Sequence, residues 1–600
     1  MAACQPEGAA SGDETLRWRD GSEERLLDVL RSASDRSTAS DELATHITDW
    51  PSSYHLDRRR TNLLRPLLVG SGMRVLDVGA GTGVNSRFLA EAGAGVVAIE
   101  GDPLRAEMAG VRCDGLDVEV RVGSATSVTA VTDPDGFDLV LCIGVLEYSG
   151  SGSGGGPAAF LAHLAGLARP GGALVVAIEN QMGLAYWLGA DEDHLGRPFV
   201  GLSGYPAGTG GIRTHSRVGL AGLLSDAGLS AQRWLYPFPD YKLPVAILTD
   251  DAYRRPDAID LVDQLVGPPI DRIRMGGTVG VDQRAVHRQV VAAGLGPDMA
   301  NSFLVIAGAD QDAVDAACGD GVLAWRFTGD RRRCFMQERR VTVSNGRCRI
   351  DRRRFHPSDP LPAPGGWLSL REATDDPVDY LPGPNLEQSA LACLRAHVLD
   401  GLRELLAGFD AFLDGLAVIA SGSGAGAHPY LPAGAAEVLP GDCVDLGFDN
   451  LVSLGGEGGL VLVDDEWWAE GGVDRELATI RALWKLAWVT VASGTDHPWP
   501  TSATIDDLAA SFFGLLPGRV GADPLARLYA AESELLSVVA GGDAATHLEN
   551  LRAASRRSVA GGNRGLRRDG AGLGGAGLRR RLSWLGRLPG GRWLADATRR

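Results

Sequence analysis

The stretch VLDVGAGTGVNSRFLA, residues 75–90, constrains the fold more than any other part of the chain. A short apolar run passes into a turn with glycine at every second position, and a helical pattern follows at once. Gly79, Gly81 and Gly83 leave the turn without side chains, so its backbone can reverse sharply and approach another group closely. A strand that ends this way and feeds a helix near Asn85–Ala92 opens a sheet with crossover helices. The strand candidates are Arg74–Val78, Val96–Glu100, Val118–Val122, Asp138–Ile143 and Ala173–Ile178. Their alternation with helices predicts an α/β domain with a mainly parallel sheet over residues 49–312.

Open α/β sheets bind ligands at the carboxyl edge of their strands, and polar residues of this chain fall there. Asp77 ends the first strand. Glu100 ends the second, where a carboxylate can accept hydrogen bonds from both hydroxyls of a ribose. Ser124 and Ala125 follow the third, in a place to flank an adenine. The turn alone is weak evidence, because dinucleotide folds use the related GxGxxG spacing. With FDLVLCIGVLEY and LARPGGALVVAIEN added as fourth and fifth strands, the series resembles class I S-adenosylmethionine-dependent methyltransferases over about 120 residues. That resemblance implies a Rossmann-like domain holding S-adenosylmethionine through Asp77, Gly79, Gly81, Gly83, Glu100, Ser124, Ala125 and Cys142.

The segments SSYHLDRRRTNLLRPL, ENQMGLAYWLGADEDHLGRPF, LYPFPDYKLP and ANSFLVIAG are similar to those of methyltransferases of bacterial polysaccharide and glycan biosynthesis. This implies a hydroxyl of a sugar or glycan intermediate as the methyl acceptor. Transfer is an in-line displacement that needs the nucleophile aligned and its proton removed. His194, titrating near neutrality, is the first candidate base, with Asp193 as orienter or alternate base. Glu147 lies at the end of the fourth strand, and Tyr54 and His55 are placed to close over the cofactor.

A second domain is expected over residues 320–550. There CVDLGFDN sets Asp445 and Asn450 at the D-x-x-x-x-N spacing of kinase catalytic loops, and LVLVDDEWW ends a strand at Asp464. The pattern resembles aminoglycoside-phosphotransferase-like kinases of α+β fold. It implies Asp445 as acceptor of the substrate proton, with Asn450 and Asp464 as magnesium ligands for ATP. The departures are that Cys443 stands where such loops carry histidine, no glycine-rich phosphate loop is evident, and CRIDRRRF lacks the expected lysine, leaving Arg352 or a neighbour to substitute. Upstream, a helical pattern runs through Leu386–Leu416.

Composition bounds the remainder. With 58 basic against 76 acidic residues the net charge is −18, a surface that repels phosphate backbones and argues against nucleic-acid partners. No apolar stretch reaches the roughly 18–20 residues of a membrane span, the N-terminus lacks a signal-peptide core, and the cysteines form no CxxC pair. A cytoplasmic protein with reduced thiols is expected. Residues 1–48 read as a loosely ordered leader, and 552–600 as a basic Gly/Arg-rich tail. In that tail LRRRLSWLGRL places leucines on one helical face, as for peripheral contact with an anionic inner membrane face. The expected function is methyl transfer from S-adenosylmethionine. Alternatives are a phosphotransferase acting on a glycan and a non-catalytic cofactor-binding scaffold of a biosynthetic complex.

Overall fold

A computed structural model describes residues 19–559, apart from 125–134, 151–154, 207–210, 268–280, 330, 345, 362–365, 372–376, 420–427, 455–458 and 517–522. The chain divides into two compact units. The first holds residues 1–253 and 293–329, the second 254–292 and 330–600.

The strands of the first unit are Arg74–Val78 (β1), Gly95–Glu100 (β2), Val118–Val122 (β3), Phe137–Ile143 (β4), Ala168–Glu179 (β5), Ala231–Phe238 (β6), Ala246–Thr249 (β7), Ser302–Gly308 (β8) and Val322–Phe327 (β9). They lie in the order β3-β2-β1-β4-β5-β8-β6-β7-β9. Strands β1 to β5 pair in parallel, and β8 is inserted antiparallel between β5 and β6. The burial of β1, β2 and β4 is nearly complete, as expected where helices cover both faces of a parallel sheet. All the strands expected from sequence are present, and the helix after the glycine turn is Val84–Glu91.

The supposed leader is folded where it is described. Helices Glu23–Ser32 and Asp41–Thr45 occupy it, and Leu26, Leu27, Leu30, Ala33 and Leu43 pack with Leu56 and Met108 in one cluster. The apolar face of the first helix is only about two turns long, too short to register as sustained periodicity. Buried charge fixes it further, since Glu23 pairs with Arg105 at 2.8 Å and Asp102 with Arg19 at 2.8 Å.

In the second unit a hairpin of Gln337–Ser344 (β10) and Arg347–Arg354 (β11) accompanies a core built on the helix Arg475–Ser493, which is buried on nearly every face. Helices Ile505–Phe513, Pro524–Val539 and Ala544–Ala554 complete it. The segment 254–292, expected in the first domain, belongs here. Its buried Arg284 pairs with Glu387, and its Asp282 pairs with Arg395 at 2.9 Å. The expected helix Leu386–Leu416 is two helices, Leu386–Arg395 and Leu399–Leu416. They break at His397, whose φ of 55° is left-handed backbone that no helix continues through. Among the described residues no helix is long and apolar enough to cross a membrane. The tail beyond Val559, including its leucine-bearing segment, lies outside the described residues.

Candidate active site

The glycine turn adopts the conformation its composition requires. Gly79 and Gly83 have φ of 71° and 78°, and a Cβ there would meet Val145 Cγ2 at 2.5 Å and the Ala109 backbone at 2.8 Å respectively. Those two glycines are spent on packing. Gly81, at φ 58°, has nothing within 4 Å of where a Cβ would stand, so this is the side of the turn open to a ligand. Its N–H donates to Glu100 Oε2 at 2.7 Å, and Asp102 N–H donates to Oε1 at 2.8 Å. An ionised carboxylate has about four acceptor positions, so Glu100 retains capacity for two ribose hydroxyls. An adenosyl donor fits the residues present.

The other expected cofactor residues take different places. Asp77 is buried beneath the turn and accepts from Ser86 Oγ at 2.6 Å; burial pushes its carboxyl up to about 6. It braces the turn from below. Ser124 follows β3, half-buried, one residue after Gly123, whose N–H donates to Glu100 O at 3.0 Å. Ala125 lies outside the described residues. Cys142 is fully buried within β4 between Val78 and Val176, so its side chain belongs to the sheet core. Its residue type carried no sign of this, because a strand-end position and the next one inward look alike in sequence.

A brace that sequence reasoning missed reaches the turn from the N-terminal segment. His55 is buried, with Nε2 2.9 Å from Asp20 Oδ2 and Nδ1 3.3 Å from Thr82 Oγ1. Arg112 donates to Thr82 O and His55 O, both at 2.8 Å. His55 therefore holds the turn from behind instead of closing over a ligand. Tyr54 is held by Arg60, whose guanidinium lies 3.8 Å from its ring centroid.

At the same strand edge, the ends of β4 and β5 bring a cluster of ionisable groups together. Glu147 sits in the turn Leu146–Tyr148, and Glu179 ends β5. Lys242 pairs with Glu179 and lies 3.6 Å from Asp193. His194 Nδ1 meets the Tyr148 hydroxyl at 2.9 Å, and its Nε2 faces Glu179 Oε2 at 3.3 Å. Glu192 accepts from the N–H groups of His194 and Leu195, and Asp193 accepts from Tyr186 Oη at 3.0 Å. Glu147, His194 and Asp193, singled out from sequence, are thus gathered here, while Glu179 and Lys242 were not singled out. The signal for Lys242 was present: the chain holds only two lysines, Lys242 and Lys485, among its 58 basic residues.

The charges are not those of a simple general base. Burial opposes a charge on His194, but Glu179 and its other acidic neighbours outweigh it, and the ring is raised to about 9. It is an imidazolium at neutral pH and not the near-neutral base expected from sequence. Glu147 is raised well above the carboxylate range by burial and by the charge of Glu179. Glu179 is held well below that range by Lys242 and His194, against the effect of burial.

The second unit gathers its own cluster. Ligand atoms of Asp445, Asp464 and Glu466 lie within 4.8 Å of one another. Cations already face each of them. Arg481 bonds Asp445 at 2.8 Å, Lys485 lies 3.8 Å from Asp445 and 3.2 Å from Asp449, and Arg339 of β10 bonds Asp464 at 2.5 Å and Glu466 at 3.0 Å. Arg331 also pairs with Glu466. Asn450 donates its side-chain amide to Asp445 O at 3.0 Å, a loop contact. Arg352 bonds exposed Asp465 instead. Asp445 Oδ2 lacks a hydrogen bond among the described residues, and Asp464, the expected magnesium ligand, is held by the guanidinium of Arg339.

Residues 76–176 match a family model described as a methyltransferase domain. A ubiquinone biosynthesis O-methyltransferase of Xanthomonas euvesicatoria pv. vesicatoria is 35% identical over 120 residues, which are 20% of this chain and 48% of that protein. One from Stutzerimonas stutzeri is 29% identical over 182 residues, 30% of this chain and 74% of that protein. The chain spans about half the length of the first of these relatives. Among solved structures, a methyltransferase of Thermotoga maritima described as a possible histamine N-methyltransferase aligns over 37% of this chain and 86% of its own, with TM-score 0.25 and 18% identity. The magnesium protoporphyrin IX methyltransferase of Synechocystis aligns over 27% and 67%, with TM-score 0.21 and 22% identity. The sheet order of the first unit and the match over residues 76–176 agree: this part of the chain is a Rossmann-like methyltransferase domain.

Proposed function

We propose that the first unit transfers a methyl group from S-adenosylmethionine to a hydroxyl oxygen of an acceptor, a sugar or glycan intermediate. The observation that carries the donor is the pairing of Gly81, open on its Cβ side, with Glu100 at the end of β2. The names of the relatives, O-methyltransferases, support oxygen as the nucleophile. Hydroxyls both donate and accept hydrogen bonds, and the carboxyl groups of Glu147, Glu179, Glu192 and Asp193 offer oxygens to meet them, which suits an acceptor with several hydroxyls.

In the reaction the acceptor oxygen displaces the thioether of the donor and takes the methyl group, while the hydroxyl proton passes to the acidic cluster. Glu179, kept ionised by Lys242 and His194, accepts the hydrogen bond of the acceptor hydroxyl and aligns it, the proton passing on through the cluster to solvent as the methyl group transfers, and the His194–Tyr148 contact orients the ring. The chain's own part is alignment, worth several kcal/mol in such displacements. A phenolic hydroxyl is the second reading, favoured by the ubiquinone-pathway names of the relatives.

The test is to incubate the full chain with methyl-labelled donor and two acceptor sets, nucleotide or lipid-linked sugars and catechol-type phenols, and to identify the labelled product by mass. Label on a sugar oxygen supports the first reading, and label on a phenol only replaces it with the second. A chain that binds the donor and labels neither set contradicts the proposed acceptor class.

A further inference from the structure

The Glu147 cluster carries more acid than its cations balance. Among the described residues, four acidic side chains, Glu147, Glu179, Glu192 and Asp193, gather around the ammonium of Lys242 and the imidazole of His194. Glu147 and Glu179 are 0% and 2% exposed. Both oxygens of Glu147 are buried without a hydrogen-bond partner among the described residues. Ionising a carboxyl buried in that condition costs several kcal/mol unless a cation joins it.

From this geometry we infer that Glu147, Glu179 and His194 form a binding site for a divalent cation of borderline hardness, such as Mn²⁺ or Zn²⁺. Two carboxylates and one imidazole are the donor types such ions take. One ligand atom from each residue lies within 4.8 Å of the other two. Glu179 Oε2 and His194 Nε2, 3.3 Å apart, subtend roughly 100° at an ion about 2.1 Å from each. Glu147 supplies the third ligand from an oxygen with no competing partner.

The outer contacts are those of a ligand set. A metal-bound histidine commonly donates its other ring N–H to an acceptor that fixes the ring, and here Nδ1 faces the Tyr148 hydroxyl at 2.9 Å. Lys242 holds the remaining oxygen of Glu179, and Glu192 fixes the loop by accepting from His194 N–H at 2.9 Å. Three protein ligands leave coordination positions for oxygen ligands. The inference uses the site of the proposed methyl transfer, but it holds or fails by ion binding alone.

The experiment titrates Mn²⁺ into the full chain, stripped with chelator, and follows the free-ion signal by electron paramagnetic resonance. Donor affinity by calorimetry reports that each variant is folded. The expected result is one Mn²⁺ per chain that Zn²⁺ displaces. Glu147→Gln should weaken it at least about a hundredfold, beyond the tenfold to hundredfold typical of an outer-contact loss, with donor affinity kept. If Glu147→Gln does not fold, His194→Gln serves as the second variant with the same expectation. Undiminished free Mn²⁺, or binding that a folded Glu147→Gln or His194→Gln variant leaves intact, overturns the inference. Ion binding without methyl transfer keeps the site and removes only the proposed reaction.

Discussion

The only two lysines of the chain lie in two buried acid clusters, one in each unit, and the clusters differ in how completely they are neutralised. Around Lys485, the acids Asp445, Asp449, Asp464, Glu466 and Glu532 are met by Lys485, Arg481, Arg339 and Arg331. Around Lys242, four acidic side chains gather with one ammonium and one histidine, and among the described residues the Glu147 carboxyl makes no hydrogen bond. The first arrangement is a set of mutual ion pairs in a core. Both keep buried carboxylate oxygens without a hydrogen bond among the described residues, Asp445 Oδ2 in the first and both oxygens of Glu147 in the second, but Asp445 is ion-paired to Arg481, whereas the Glu147 carboxyl, with neither oxygen bonded, is free to serve a reacting or coordinating site. Two acid groupings with similar residue types thus differ in chemistry because of their cations.

The sharpest way to break this contrast is to remove one cation from the ion-paired cluster. Arg481→Met strands Asp445 and Glu532 without their guanidinium and should destabilise the second unit by about 3–5 kcal/mol. Asp464→Asn, which leaves Arg339 only its pair with Glu466, acts in the same direction. Urea unfolding followed by tryptophan fluorescence measures both, and unchanged midpoints would show that the pairs are not a core element.

On the other side, His194→Ala should slow methyl transfer by about a hundredfold, roughly 2.7 kcal/mol of barrier, with donor affinity retained. Single-turnover rates read this. A rate within twofold of the parent removes His194 from the machinery.

The donor side offers a pH test. Asp77 has its carboxyl raised to about 6, so the folded state binds its proton more tightly than the unfolded state does. Its contribution to stability is full below the ordinary carboxylate range and is lost as pH rises through about 6. Relative to Asp77→Asn, the parent should lose roughly 2 kcal/mol between about pH 4.5 and 6.5. Parallel stability curves for the two proteins would refute the shift.

The smallest effect should come from Glu147→Gln. Among the described residues no hydrogen bond reaches the Glu147 carboxyl oxygens, so the neutral amide should change stability by less than about 1 kcal/mol, in contrast to Asp464→Asn. A loss as large as that of Asp464→Asn would mean that the two clusters are alike after all.

Strand order and the donor turn were legible because they rest on local rules: apolar runs at strand spacing, and glycines where a Cβ would strike Val145 or Ala109. Asp193 and His194 could be named because they stand side by side in a polar loop. Glu179 and Lys242 escaped because their meeting is made by the sheet, which brings the end of β5 beside a loop some sixty residues later in sequence. The kinase-like spacing of Asp445, Asn450 and Asp464 was read correctly as a spatial grouping for its two acids. The cations that pair with them, Arg339 and Arg481, come from distant elements that spacing does not register. The leader misled for the opposite reason: its helix is short, and Glu23 and Asp20, which look solvated in sequence, pair with Arg105 and His55 in the fold.

Calorimetric titration of S-adenosylmethionine into the parent chain and into Glu100→Ala tests the central claim most directly. The account predicts saturable binding of one donor per parent chain, weakened at least about tenfold in the variant, the scale of one lost charge-assisted hydrogen bond. A folded parent chain that gives no saturable heat, or a variant that binds as tightly as the parent, would contradict it.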